Sequence, residues 1–209
     1  MPVTINGNGS ISGLSVGGLP NGSVDADTLA SNAVTTAKIA NSAVTADKAS
    51  GTVKGLTMVD QWRTTSSVTG NQATITGWER VDNHFSLQGS AGMTESSGVW
   101  TFPQTGLYLV TFVGHGFLNG TTNYIGLYFY VSTNGGSNFE SPSLSHAYCG
   151  AQGSGYNGGM NQVVLNVTNT STFRCRIEYL SSNSSACILQ GNTARTLTAI
   201  TFIRLGDAG

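Results

Sequence analysis

From Met58 onward the chain runs in short stretches where apolar and β-branched residues alternate with polar ones, broken by Gly, Asn and Ser. VDQWRTT, GWERVD, GVWTFP, GLYLVTFVGHGF, NYIGLYFYVS, MNQVVLNV, FRCRIEYL and TLTAITFIRL each predict a strand. The clusters NGT, TNGGS, GSGYNGG and SSNSS predict the turns between them, and no window carries a helical period. In the fourth stretch Tyr108, Val110 and Phe112 form one parity set, and Leu107, Leu109, Thr111 and Val113 the other. Both sets are largely apolar, which predicts a strand covered on two faces; in an antiparallel sandwich the second face is an interface. Strands of this kind with long returns fit a double-sheet jelly roll.

The first fifty residues follow a different rule. Aligned in tens, NGSVDADTLA, SNAVTTAKIA and NSAVTADKAS share Val24, Val34 and Val44, then Leu29, Ile39 and Ala49. One such repeat has too little apolar volume to bury its own Val and Leu or Ile, so stacking against other copies around a shared axis is expected. Packing positions of this shaft are Val24, Leu29, Val34, Ile39 and Val44. Upstream, INGNGSISGLSVGGLP is too rich in Gly for a free-standing strand. It reads either as an adaptor that orders against another protein or as a flexible linker. The expected organisation is a docking segment over 1–20, a decapeptide shaft over 21–55 and an all-β head over 56–209.

Composition sharpens this division. All 18 aromatic residues lie between Trp62 and Phe202, so the aromatic-free N-terminal part can hardly form a core of its own. Charged residues make up 9% of the chain, with a net charge of -1, against roughly a quarter in ordinary domains. That deficit excludes the basic stripe of a nucleic-acid binder and the charge blocks of an acidic or basic tail. The opening MPVTINGNGS has no basic region followed by an apolar run, and no stretch reaches the length of a membrane span. The expectation is a chain made without a cleaved leader. Cys149, Cys175 and Cys187 form no metal-ligand pattern; buried free thiols are expected, a Cys175–Cys187 bridge being the other reading.

The segment Trp100-Thr-Phe-Pro-Gln-Thr-Gly-Leu-Tyr-Leu-Val-Thr-Phe112 resembles the signature strand pair of the C1q and tumour-necrosis-factor-like jelly rolls. The run from Asn123 to Val131 and the closing run from Thr196 to Leu205 are similar to strands of the same fold. Pro103 ends an extended run, Gly106 permits tight backbone passage, and Tyr108 brings a large amphipathic ring. With Trp100 and Phe102 they mark either the fold or a trimer contact, and the resemblance implies a homotrimer. The glycine-every-third stalk of C1q proteins is missing. The N-terminal part instead resembles fibre and appendage proteins of tailed bacteriophages, particularly those of cyanobacteria.

Candidate chemistry is sparse. Glu79 and Asp82, three apart on a strand, are expected to face opposite sides and not to form the carboxylate pair of a glycosidase. His84, His115 and His146 are scattered, with no GxSxG elbow to support a triad. Asp25 and Asp27 are too few oxygen donors for calcium. Arg174 and Arg176 share a strand face with Glu178, where structural pairing is expected, closure of a trimer or contact with an anionic ligand being the other readings. The stretch 139–159 reads as a long loop carrying His146, Tyr148, Tyr156 and Asn157, either a receptor contact or else a partly disordered loop or a trimer contact.

The expectation is therefore a non-enzymatic virion appendage without cofactor or metal, made in host cytoplasm and carried outside the tail or capsid. Its partners would be two further copies of itself, other virion proteins through the N-terminal segment, and a host-surface glycan or receptor. A trimeric capsid decoration, cement or head-fibre protein is the alternative.

Overall fold

The computed structural model describes residues 4–5, 7, 11–12, 29, 31, 33–40, 43–44, 56–70, 73–119, 124–148, 155–183 and 185–209. Its internal contacts divide the chain into two units, Met1–Lys48 and Ala49–Gly209.

In the first unit β1 (Thr4–Ile5) pairs antiparallel with β2 (Ile11–Ser12), setting Ile5 opposite Ile11. A single 3-10 turn spans Thr36–Lys38, and Lys38 Nζ donates to the Ala33 carbonyl at 2.6 Å. Leu29, Val34, Ile39 and Val44 are all exposed in the single chain, 40–56% accessible. Val24 lies outside the described residues.

The second unit is built of two antiparallel sheets. One contains, in spatial order, β10 (Glu140–Tyr148), β9 (Tyr124–Ser132), β12 (Arg174–Ser181), β7 (Val99–Thr101) and β6 (Thr94–Ser96), with β4 (Ala73–Thr74) also on β12. The other runs β11 (Gly155–Val167), β8 (Gly106–Leu118), β14 (Ala199–Gly206), β3 (Met58–Thr64) and β5 (Trp78–Arg80), with β13 (Cys187–Leu189) beside the end of β8. The chain crosses between sheets at β3–β4, β4–β5, β5–β6, β7–β8, β8–β9, β10–β11, β11–β12 and β12–β13, so successive strands close a sandwich. All eight predicted strand regions are present; β4, β6, β10 and β13 were not legible.

The parity of β8 is resolved by burial. Tyr108, Val110 and Phe112 point into the sandwich and are closed to solvent, whereas Val113 on the opposite parity is 42% exposed. The interior is an aromatic cluster: Trp100 meets Trp78 edge-on at 4.9 Å and Phe202 at 5.7 Å, and Phe102 meets Tyr108 at 4.8 Å and Phe173 at 5.5 Å. Each such pair adds about 0.5–1.5 kcal/mol to the burial of its rings. Trp100, Phe102 and Tyr108 thus serve the core of one chain. The Tyr108 hydroxyl donates to the Gln104 carbonyl at 2.7 Å and ties β8 to the turn that contains Pro103.

The loop expected over 139–159 is instead two strands. Only 149–154, outside the described residues, lies between β10 and β11. Strand β10 is an edge strand, which is where Pro142, lacking an amide proton, can sit, and its pairing with β9 shifts register between Glu140 and Ser143. Two asparagines of β11 fasten it to the other sheet: Asn161 bonds the Leu127 carbonyl and the Ser143 hydroxyl, and Asn157 donates to the Tyr148 carbonyl. Cys175 on β12 and Cys187 on β13 are free, buried thiols on opposite sheets. Cys149 falls outside the described residues.

Candidate functional site

Most of the described charged side chains of the second unit are held by other groups of the fold. Arg63 on β3 donates through Nε to Glu79 at 2.7 Å and through Nη2 to Asp82 at 2.6 Å. The expectation that Glu79 and Asp82 face opposite sides is corrected: β5 ends at Arg80, so Asp82 is no longer on a strand and turns back to the same guanidinium. The Glu79 bond raises the Arg63 pKa above its ordinary value despite burial. Asp60, fully buried, receives Arg80 at 2.8 Å and the Met93 amide at 2.7 Å, while the Arg80 guanidinium lies 4.5 Å over the Trp62 ring. Arg176 pairs with Glu178 at 2.5 Å, as expected. Arg174, on the same face, turns away to the carbonyls of Thr170, Ser171 and Phe173.

The histidines are not brought together. His115 stacks on Tyr156 at 5.5 Å, His146 lies among tyrosines of the other sheet, and His84 occupies a loop with φ of 59°. Among the described residues no group of three His, Cys, Asp or Glu side chains could hold a metal ion. A pocket of about 140 Å³ opens beside Val131, Ser132, Asn134 and Glu140. It is smaller than the roughly 300–1,000 Å³ of a usual ligand cleft, and Ser132 and Asn134 already bond each other and the turn. No described helix is long and apolar enough to cross a membrane.

Among the described residues of the second unit two open surfaces stand out. The first is the outward face of the β11–β8–β14–β3 sheet. Register places Met160, Val113 and Ala199 in one cross-strand row, which ends on the ion-paired Arg63 of β3, and Val164, Leu109, Ile203 and Val59 in another. Met160 and Val164 are 60% and 58% exposed. Between these apolar rows runs a polar one of Gln162, Thr111, Thr201 and Gln61, whose amides are already used: Gln162 donates to Thr111 Oγ1 and Gln61 to Thr201 Oγ1, both at 2.9 Å. Tyr156 continues the apolar surface beside Phe117, 5.2 Å between rings.

The second is the outward face of β9 and β10. Tyr124, Tyr128 and Tyr130 share it with His146 and Tyr148, which stand opposite Gly126 and Tyr124. Of the four residues placed in one predicted loop, His146 and Tyr148 meet here, Tyr156 belongs to the first surface, and Asn157 is a structural tie. The tyrosines of β9 were missed as site residues, although their two-residue spacing in NYIGLYFYVS is the signal that puts them on one face.

No protein-family model matches the chain, and no curated protein matches it. Among solved structures it is similar to an Eiger TNF from S. frugiperda, with 15% identity, a TM-score of 0.51, and coverage of 74% of this chain and 96% of that one. Murine APRIL at pH 5.0 has 11% identity and a TM-score of 0.48, over 71% of this chain and 98% of the other. The likeness spans nearly the whole of the Eiger chain, and what it shows is the fold: the second unit is a TNF-like jelly roll.

Proposed function

We propose that this protein is a homotrimeric virion appendage, a phage tail fibre whose jelly-roll head binds the host cell surface without catalysing a reaction. The observation that carries assembly is the apolar outward face of the β11–β8–β14–β3 sheet. Burying a surface in a partner is costly when its polar groups lose water without gaining a bond. Here the two amide–hydroxyl pairs between the apolar rows keep their hydrogen bonds when water leaves. The exposed Leu29, Val34, Ile39 and Val44 of the N-terminal unit fit the same assembly, each repeat adding one small layer around a common axis.

Three identical heads on one axis would make weak single sites effective through avidity. A chain with 9% charged residues and abundant neutral hydroxyls suits a glycan partner. The resemblance of the N-terminal segment to phage appendage proteins supports placing the chain on a virion exterior.

Light scattering of the full chain tests assembly: three times the chain mass is expected, and a monomer would overturn it. Adhesion is tested with the fluorescently labelled full chain on a panel of intact bacteria, with soluble surface polysaccharide as competitor. Saturable, competed binding is expected. A well-folded trimer that binds none of them would move the assignment to a capsid decoration, which a high copy number per particle would identify.

A further inference from the structure

The aromatic surface on β9 and β10 has the geometry of a sugar-stacking platform. Tyr124 lies 5.4 Å from Tyr148 and 5.3 Å from His146, and the His146 ring in turn stands edge-on to Tyr128 at 6.2 Å. Tyr130 continues the row, its ring nearly parallel to that of Tyr128 at 6.3 Å. Gly126 makes this arrangement possible. A Cβ at that position would come within 3.0 Å of the Tyr128 ring and 3.1 Å of the His146 ring, so the missing side chain lets the imidazole lie across β9 between two tyrosines.

These rings are not core. Tyr148 is 58% exposed and Leu144, opposite Tyr128, 50%; His146 is exposed too, and Tyr124, Tyr128 and Tyr130 are half-buried. From Tyr124 to Tyr130 the row extends about 20 Å along the strand, longer than a single sugar. Its cation is paired through one nitrogen: the Arg176 guanidinium lies 5.2 Å over the Tyr130 ring and 4.1 Å over Phe139, its Nη2 is bonded to Glu178, and its buried Nε has no hydrogen-bond partner among the described residues. A surface of two exposed and three partly exposed rings, fringed by hydroxyls and with its cation already bonded to a carboxylate, matches the C–H face and equatorial hydroxyls of an uncharged pyranose. It does not match a sulfated or carboxylated sugar, which needs an unpaired cation.

We propose that Tyr124, His146 and Tyr148, backed by Tyr128, form a binding site for a neutral oligosaccharide, stacked along β9. This deepens the adhesin reading above and rests on it for its biological setting, not for its geometry.

The test is titration of the full-length protein with maltohexaose, cellohexaose, mannohexaose and N-acetylchitohexaose. Binding to at least one is expected, weakened about tenfold by Tyr148→Ala and by Tyr124→Ala and retained by Tyr148→Trp. Light scattering must show both alanine variants in the wild-type assembly. If they dissociate, the rings are assembly contacts and the proposal is overturned. It is equally overturned if none of the four sugars binds, or if the alanine variants bind as well as wild type. The outcomes separate from those of the adhesin reading: cell binding that survives Tyr148→Ala removes the platform and leaves the adhesin, and sugar binding without cell binding does the reverse.

Discussion

Gly106 and Arg204 are in contact at the start of β8: a Cβ on Gly106 would stand 2.5 Å from the Arg204 Nε and 2.5 Å from the Gly206 carbonyl oxygen. Arg204 cannot withdraw freely, because it donates to the Thr105 carbonyl at 2.9 Å, Thr57 Oγ1 at 3.0 Å and Asp207 at 2.5 Å. This one guanidinium joins the chain end to both the turn before β8 and the segment before β3. Gly106→Ala must therefore displace backbone or break that set of bonds, and should cost about 2–4 kcal/mol in denaturant unfolding. A loss below 1 kcal/mol would show that the close approach is not maintained.

The two ion-pair groups should respond differently. Arg80→Met strands the Asp60 carboxylate, which has no access to water, and should cost about 3–5 kcal/mol. Asp82→Asn alters a side chain that is 72% exposed, while Arg63 keeps Glu79, and should cost well under about 1 kcal/mol. Chemical denaturation of both variants gives the comparison; equal losses would contradict it.

Trp100 fills the core, yet its indole Nε1 finds no hydrogen-bond acceptor among the described residues. Trp100→Ala should cost about 3–5 kcal/mol as a cavity. Trp100→Phe keeps a ring against Trp78 and Phe202 and removes an orphaned donor, so a loss of about 1 kcal/mol is expected. Thermal unfolding distinguishes this from a tryptophan whose N–H is needed.

Stability should fall at high pH. Burial pushes the Tyr179 hydroxyl from 10.0 up to about 12, and burial raises Tyr108 as well. The folded protein holds protons that the unfolded chain releases above pH 10, so this stability is complete below pH 10 and is lost as pH rises towards 12. Tyr179→Phe should flatten that decline, at a cost of about 1 kcal/mol at neutral pH from the lost 2.8 Å bond to the Cys187 carbonyl. Unfolding free energies between pH 8 and 11 check the slope.

The assembly face can be probed without touching the core. Val164 is 58% exposed in the single chain, so Val164→Arg should change monomer stability by no more than about 0.5 kcal/mol. In a trimer that buries this face the same substitution should yield monomers by size-exclusion light scattering. An unchanged mass would remove this surface from the interface.

Strand locations from β3 to β14 were legible wherever one parity carried large side chains, as Tyr108, Val110 and Phe112 do in β8. Strand β10 was illegible for a physical reason: Ser141, Pro142, Ser143 and Ser145 offer no large apolar side chain, and its pairing with β9, not an apolar face, makes it a strand. The candidate site divided along the same line. His146 and Tyr148 were visible as residues suited to recognition, but Tyr124 and Tyr128 join them only through the β9–β10 register.

Side-chain parity is a local property of an extended chain, so residue order alone specified the all-β class and the inward set Tyr108, Val110 and Phe112 of β8. Which side chains meet depends on register and on which strands become neighbours, and these follow from closing the whole sandwich. Arg63 reaches carboxylates 16 and 19 residues away, and Arg204 reaches Thr105 and Thr57 across 99 and 147. No spacing in the sequence encodes such encounters; they exist because two sheets must exclude water from one shared interior.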